Sequence, residues 1–412
     1  MRHWLDFLTP GASVFVPTLS NESACLLRAL QAEPDRAREV EFFAFQFPGI
    51  DTADYLALHP SARQTSCFMS PALRRGLATQ RATCLPLDYR GMIQYLAHQH
   101  PPDVAIAQLT PPDRDGWCAA GLSCDFLPLV WSRAKHRVAH LNPRLPRLNS
   151  SFRVHLSELS AWVESDEALL DFKEPAAGAL EDAVGRHAAE LIHDGDTLQF
   201  GIGAVPLGLA HHLRDHRGLR FHGGLVASAL QTLNEAGALD PAAPITTGVV
   251  LGNDALREYV RHLPNLWLTD IRYTHAQAGQ EPTCRFVAIN SAMEVDLFGQ
   301  VNAERMGGVQ QAGAGGMPAF AHAALNNPGG RLLICLPATA RQGTVSRIVA
   351  ALGAGSACTL PAYLADVVIT EHGAAQIRHL TPDARAQALI AIAAPEHREA
   401  LQIAWRQQRP TA

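Results

Sequence analysis

The sequence has no apolar run of about 18 residues, the length a membrane-spanning helix needs. Its opening, MRHWLDFLTPGAS, also lacks the apolar core of a secretion signal, so a cytoplasmic protein is expected. There is no basic excess: 34 basic against 39 acidic residues leave a net charge of -5, without the phosphate-neutralising surface of a nucleic-acid binder. The eight cysteines form no CxxC pair, which argues against a zinc site or a disulfide framework and for small buried apolar roles. No low-complexity tract and no short internal repeat interrupts the chain.

What the chain does have is apolar sequence in short runs. A length of 412 residues exceeds what one hydrophobic core uses and implies two or three domains, and an apolar share of 47% is ample to bury two cores. Runs of strand length fall at Val14–Pro17, Val40–Phe45, Val104–Leu109, Thr197–Gly201 and Ile245–Leu251. Others follow at Leu266–Tyr273, Phe286–Asn290, Arg331–Leu336 and Asp366–Thr370. Segments of helical period, such as Glu181–Ile192 and Asp383–Ala394, alternate with them. This alternation predicts an α/β protein with two open α/β domains and largely parallel sheets. The Pro- and Ala-rich stretch ESDEALLDFKEPAAGALED, where the charge pattern shifts, marks the boundary between an N-terminal domain over 1–175 and a C-terminal domain over 176–412.

The segment DTLQFGIGAVP (196–206) reads as a strand running into Gly201-Ile-Gly203 and then into the apolar helix LGLAHHL. Amides at such a turn approach an anion closely, and the helix N-terminus favours negative charge. As a dinucleotide fingerprint it fails, because Pro206 stands where the third glycine belongs and the next strand ends in His222-Gly-Gly without a ribose-binding acid.

FVAINSAMEVDLFGQVNAE (286–304) is the most distinctive block. Around it lie FPG (47–49), SPALRRGL (70–77), PPDRDGWCAAGLSCDF (111–126), NEAGAL (234–239), QQAGAGGMPAF (310–320), CLPATARQGTVSRIV (335–349) and VITEHGAAQIR (368–378). In this order, across nearly the whole chain, they resemble the motifs of the acetyl-CoA hydrolase/transferase family, which includes the acetate and 4-hydroxybutyrate CoA-transferases. The resemblance implies a CoA-transferase-like fold, a small acyl-CoA and a carboxylate acceptor as substrates, coenzyme A as the group carried, no metal, and a homodimer. It further implies a site between the domains, mainly on C-terminal loops, with the Gly201–Gly203 turn lining the acyl-CoA pocket.

Such chemistry needs a desolvated nucleophile and N–H donors for each tetrahedral oxyanion. Gly313, Gly315 and Gly316 suit the donor role, because glycines let successive amides converge without side-chain obstruction, and Asn290, directly after the strand FVAI, offers a further amide. Arg341 and Arg347, with a helix start expected at Thr344, are the basic groups placed to meet CoA phosphates.

The nucleophile is where the chain departs from the family pattern. Relatives carry a catalytic glutamate about eighteen residues before Asn-Ser-Ala; here LTDIRYTH (268–275) puts Arg272 in that place. A guanidinium stays protonated and cannot attack a carbonyl, though it can bind a carboxylate or phosphate by its fork. Asp270, read on one strand face with Arg272, is expected about 6 to 7 Å away. Glu294 and Asp296 belong to the family signature and read as structural or ligand-orienting; Glu281 lies in a polar loop and Glu371 follows a buried strand. His275 is a candidate general base, and Cys284 with His222, His275 or His372 a candidate covalent pair. The catalytic candidates are thus Asp270, Arg272, His275, Asn290 and Glu294. Three readings stay open: a CoA-transferase or acyl-CoA hydrolase, a divergent acyltransferase or thioesterase using His or Cys, and a non-catalytic acyl-CoA-binding protein.

Overall fold

The computed structural model describes residues 3–47, 49–98, 101–280 and 284–408, so Pro48 and Glu281 lie outside the described residues. The chain forms two compact units, one of Met1–Lys173 with Ile245–Ala276 and one of Glu174–Pro244 with Gln277–Ala412.

In the first unit a seven-stranded sheet runs in the order Ala82–Cys84, Arg63–Ser66, Glu41–Phe43, Ser13–Phe15, Val104–Leu109, His136–Leu141, Ala161–Glu164. Every pairing in it is parallel. Alternate side chains feed two cores: Val14, Phe42, Val104, Ile106 and Val138 on one face, Phe15, Phe43, Ala105, Ala107 and Ala139 on the other. Burial on both faces is why these strands read as continuous apolar runs. The chain winds outward in both directions from Ser13–Phe15 and Val104–Leu109, so the switch point of the sheet lies at that pair. The excursion over 245–276 joins this unit through bridges Ser123 to Val249, Asp125 to Asp270 and Ser150 to Leu268.

In the second unit Arg220–His222, Thr197–Phe200, Phe286–Ser291, Arg331–Cys335 and Val367–Thr370 lie parallel in that order, and Gly373–Gln376 closes the edge as an antiparallel hairpin. Its switch point falls between Thr197–Phe200 and Phe286–Ser291. The helices Ala179–Ala189 and Ala204–His212 cross at two glycines: a Cβ on Gly185 would lie 2.5 Å from the Leu209 amide nitrogen, and one on Gly208 2.8 Å from the Glu181 carbonyl. Backbone meets backbone there, so neither side can yield without parting the helices. Gly185→Ala is therefore expected to lower unfolding stability by about 1–3 kcal/mol in urea titration, although alanine is the better helix former.

Two expectations need correction. Leu266–Tyr273 is not one strand: it stops at Leu268, and Ile271–Thr274 is a helical turn. Thr344 starts no helix either; Thr339–Ala340 and Val345–Ser346 form a hairpin whose turn holds Arg341 and Gln342 at φ 50° and 58°. Among the described residues no helix is long and apolar enough to cross a membrane.

Candidate active site

Asp270 terminates the strand Leu266–Leu268 by capping the turn that follows. Its Oδ1 accepts from the Arg272 amide at 2.9 Å, the ordinary work of an N-cap aspartate. The cap turns the chain back, so that Arg272 closes on the same carboxylate with Nε at 2.9 Å and Nη2 at 2.7 Å. The expected separation of 6 to 7 Å belonged to an extended chain and does not apply. Asp270 is nearly enclosed at 11% side-chain exposure while Arg272 is 56% exposed, and its Nη1 has no described partner. The carboxylate, by its hydrogen bonds first, raises the guanidinium further above its ordinary range.

Behind Asp270 lies Asp125, which no residue-level reading had singled out within PPDRDGWCAAGLSCDF. It is 7% exposed, and burial first, then the Asp270 charge, pushes its carboxyl up to about 8. His275 packs its ring 4.2 Å from that of Tyr89 and bonds Thr274 Oγ1 through Nδ1 at 2.8 Å. At 3% exposure it sits in the core of the turn, a position that favours a packing role over the general-base role.

In the second unit the switch point carries Asn290 and the glycine turn. Asn290 lies inside the strand Phe286–Ser291 and not after it, and its Nδ2 donates to Gln199 Oε1 at 3.0 Å. Gly201 opens onto free space, and Gly203 holds φ 116°, which only glycine adopts readily, at the head of Ala204–His212. Glu174, missed in the sequence, faces both helix starts, with its carboxylate 3.5 Å from the Gly203 amide and 2.9 Å from that of Ser228. An internal anion thus stands beside the turn expected to meet an external one.

The remaining acids are held in structure. Glu294 Oε1 accepts from Asn302 Nδ2 at 2.8 Å and Ser356 Oγ at 2.5 Å. Asp296, fully buried, accepts from the amides of Phe298 and Gln300 through Oδ1 and of Leu352 through Oδ2, and so knots the hairpin beyond Glu294–Asp296. Glu371 accepts from the Ala338 amide at 2.7 Å, and His372 stands 3.7 Å from Glu371. Cys284 Sγ receives Arg220 Nη1 at 3.0 Å, and His222 stacks edge-on to Phe286 at 6.3 Å. Gly313, Gly315 and Gly316 are half-buried and lead into the helix Met317–Asn326, with Gly315 at φ 58°. Arg341 is exposed on its hairpin, whereas Arg347 is half-buried with an Nε that has no described partner.

Both units are open, largely parallel α/β sheets with a switch point, and in the second unit Asn290 lies at the carboxyl end of a switch-point strand. The chain belongs to the acetyl-CoA hydrolase/transferase family, matching its N-terminal domain over residues 5–173 and its C-terminal domain over 252–404. It is 32% identical over 347 residues to the 4-hydroxybutyrate coenzyme A transferase of Clostridium kluyveri, covering 82% of this chain and 81% of that protein. It is 30% identical over 404 residues to the succinyl-CoA:cyclohexane-1-carboxylate CoA transferase of Geobacter metallireducens, covering 96% and 92%. The solved 4-hydroxybutyrate CoA-transferase of Porphyromonas gingivalis superposes with a TM-score of 0.80 at 25% identity over 98% of this chain and 95% of that one. RipA from Yersinia pestis shares the fold, with a TM-score of 0.87 at 24% identity over 97% and 94%. The protein is thus an enzyme of the CoA-transferase and hydrolase class.

Proposed function

We propose that the chain is an acyl-CoA:carboxylate CoA-transferase in which the attacking carboxylate is the acceptor itself, held by Arg272, and not a glutamate of the enzyme. The observation that carries this reading is the Asp270–Arg272 chelate. Asp270 uses the Nε and Nη2 edge of the guanidinium, which leaves Nη1, on an exposed side chain, for a second carboxylate. The acids of the signature are already committed to the hairpin and its neighbours, and this supports an external nucleophile.

The acceptor carboxylate attacks the thioester carbonyl, giving a tetrahedral oxyanion of the kind that backbone N–H donors stabilise. Collapse expels CoA thiolate and leaves a mixed anhydride of donor and acceptor acids. The thiolate then attacks the acceptor carbonyl of the anhydride, giving the new acyl-CoA and releasing the donor acid as its carboxylate. The unpartnered Nε of Arg347 supports a contact with a CoA phosphate, and exposed Arg341 adds long-range attraction.

Arg272→Gln removes the charge and the fork but keeps a hydrogen-bonding side chain. It is expected to raise the KM for the acceptor by about 10- to 100-fold, the worth of a charge-assisted pair, with the KM for acyl-CoA nearly unchanged. Equal effects on both constants would show that Arg272 serves structure and not the acceptor.

A further inference from the structure

The switch point of the first unit holds a polar feature that the reaction above does not use. Asn21 is 4% exposed, and its Nδ2 donates to three carbonyls, those of Gln108 at 3.3 Å, Ala120 at 2.9 Å and Ser123 at 3.1 Å. Carbonyl oxygens only accept, so the amide cannot be turned round, and Oδ1 must point away from them. No described group donates to that buried Oδ1. A buried acceptor without a donor has lost its hydration and gained nothing in return, which makes it a rare feature that asks for a ligand.

Asn21 lines a cavity of about 20 Å³ together with Thr18, Ser123 and Asp125. Asp125 adopts φ 32°, and Leu19, two residues before Asn21, φ 56°; two non-glycine residues in the left-handed region therefore lie beside or near the cavity. The Asp125 carboxyl has no described hydrogen-bond partner, and burial keeps it protonated near neutral pH. No lysine or arginine lines the cavity, so a second carboxylate has nothing there to neutralise it. The volume suits one water-sized group. The partner that satisfies both side chains is neutral, has one heavy atom in the cavity, and both gives and takes a hydrogen bond.

We infer that this cavity is a single-hydroxyl site, in which one O–H, of a ligand or of a resident water, donates to Asn21 Oδ1 and accepts from the Asp125 carboxylic acid. The inference is independent of how Arg272 acts, and its test needs no turnover. The first arm compares thermal stabilisation of the intact protein by 3-hydroxypropionate and by propionate. A ligand hydroxyl gives at least tenfold tighter binding of the hydroxy acid, a difference that Asp125→Leu abolishes and Asp125→Asn, which still offers a donor, largely retains. The second arm is a high-resolution crystal structure of the wild-type protein without either acid. A resident water gives equal binding of the two acids together with an ordered oxygen within hydrogen-bond reach of both Asn21 Oδ1 and Asp125. Equal binding with no density in the cavity would overturn the inference, and so would a protein donor turned onto Oδ1.

Discussion

In the Arg272→Glu variant, exposure to acetyl-CoA is expected to load the new carboxylate as a glutamyl–CoA thioester, which borohydride reduces and hydroxylamine cleaves at position 272. The wild-type protein, treated alike, is expected to carry no such adduct. The substitution alters the side chain but leaves the backbone bond from the residue-272 amide to Asp270 Oδ1, so the turn Ile271–Thr274 still presents the position in the same direction. Loss of the guanidinium leaves Asp270 facing a like charge, which raises the pKa of the new carboxylate and makes it a better nucleophile. Labelling, read as peptide mass, should rise from undetectable to a large fraction of the protein. Arg272→Gln is the control that stays unlabelled. An adduct on any acid of the wild-type chain would contradict the external-nucleophile reading directly.

The second large effect is on stability against pH. Burial holds the Asp125 carboxyl up to about 8 and the Asp51 carboxyl up to about 7, against an unfolded value near 3.8. Between those limits the native chain keeps protons that the unfolded chain has lost, so the unfolding free energy falls as pH rises from about 4 to about 8 and levels beyond. The slope is downward, the reverse of the usual salt-bridged carboxylate. Shifts of this size correspond to losses on the order of several kcal/mol across the window. Asp125→Asn, neutral at every pH, is expected to remove most of its share, leaving a shallower decline that ends nearer pH 7, where Asp51 titrates. Chemical denaturation at pH 5, 7 and 9 reads the difference. Parallel profiles for wild type and variant would mean that Asp125 is ionised in the folded state.

Parallel strands buried on both faces were the legible part of the fold. Val104–Leu109 falls where its apolar run does, and Phe286–Ser291 and Arg331–Cys335 shift by a single residue. Arg63–Ser66 and the edge strand Ala82–Cys84 escaped notice because short, polar-rich strands are paired through backbone and carry no apolar signature. The excursion of 245–276 into the first unit has no linear signal at all, since it depends on bridges from Ser123, Asp125 and Ser150.

The candidate site divides in the same way. Motif likeness brought out Asn290, Glu294, the glycine turns and the Arg272 departure. Apolar spacing in LWLTDIRYTH suggested a strand, yet Asp270 is a good N-cap, and its capping bond decides the local structure. With the cap comes the chelate, and with the chelate a functional meaning for Arg272. Asp125 and Asn21 lay inside quoted or neighbouring sequence, but a raised acid and an orphaned acceptor are properties of burial, which spacing does not encode. Glu174 was read only as part of a boundary stretch, because its contact with the Gly203 and Ser228 amides joins residues up to 54 positions apart.

Direct transfer and glutamyl transfer differ most plainly in kinetic order. An enzyme glutamate releases the first acid before the second binds, giving parallel lines in double-reciprocal plots, whereas an acceptor that attacks for itself must be present together with acyl-CoA. Initial velocities with acetyl-CoA and propionate varied together are expected to give intersecting lines for the wild-type protein; parallel lines would contradict the role assigned to Arg272.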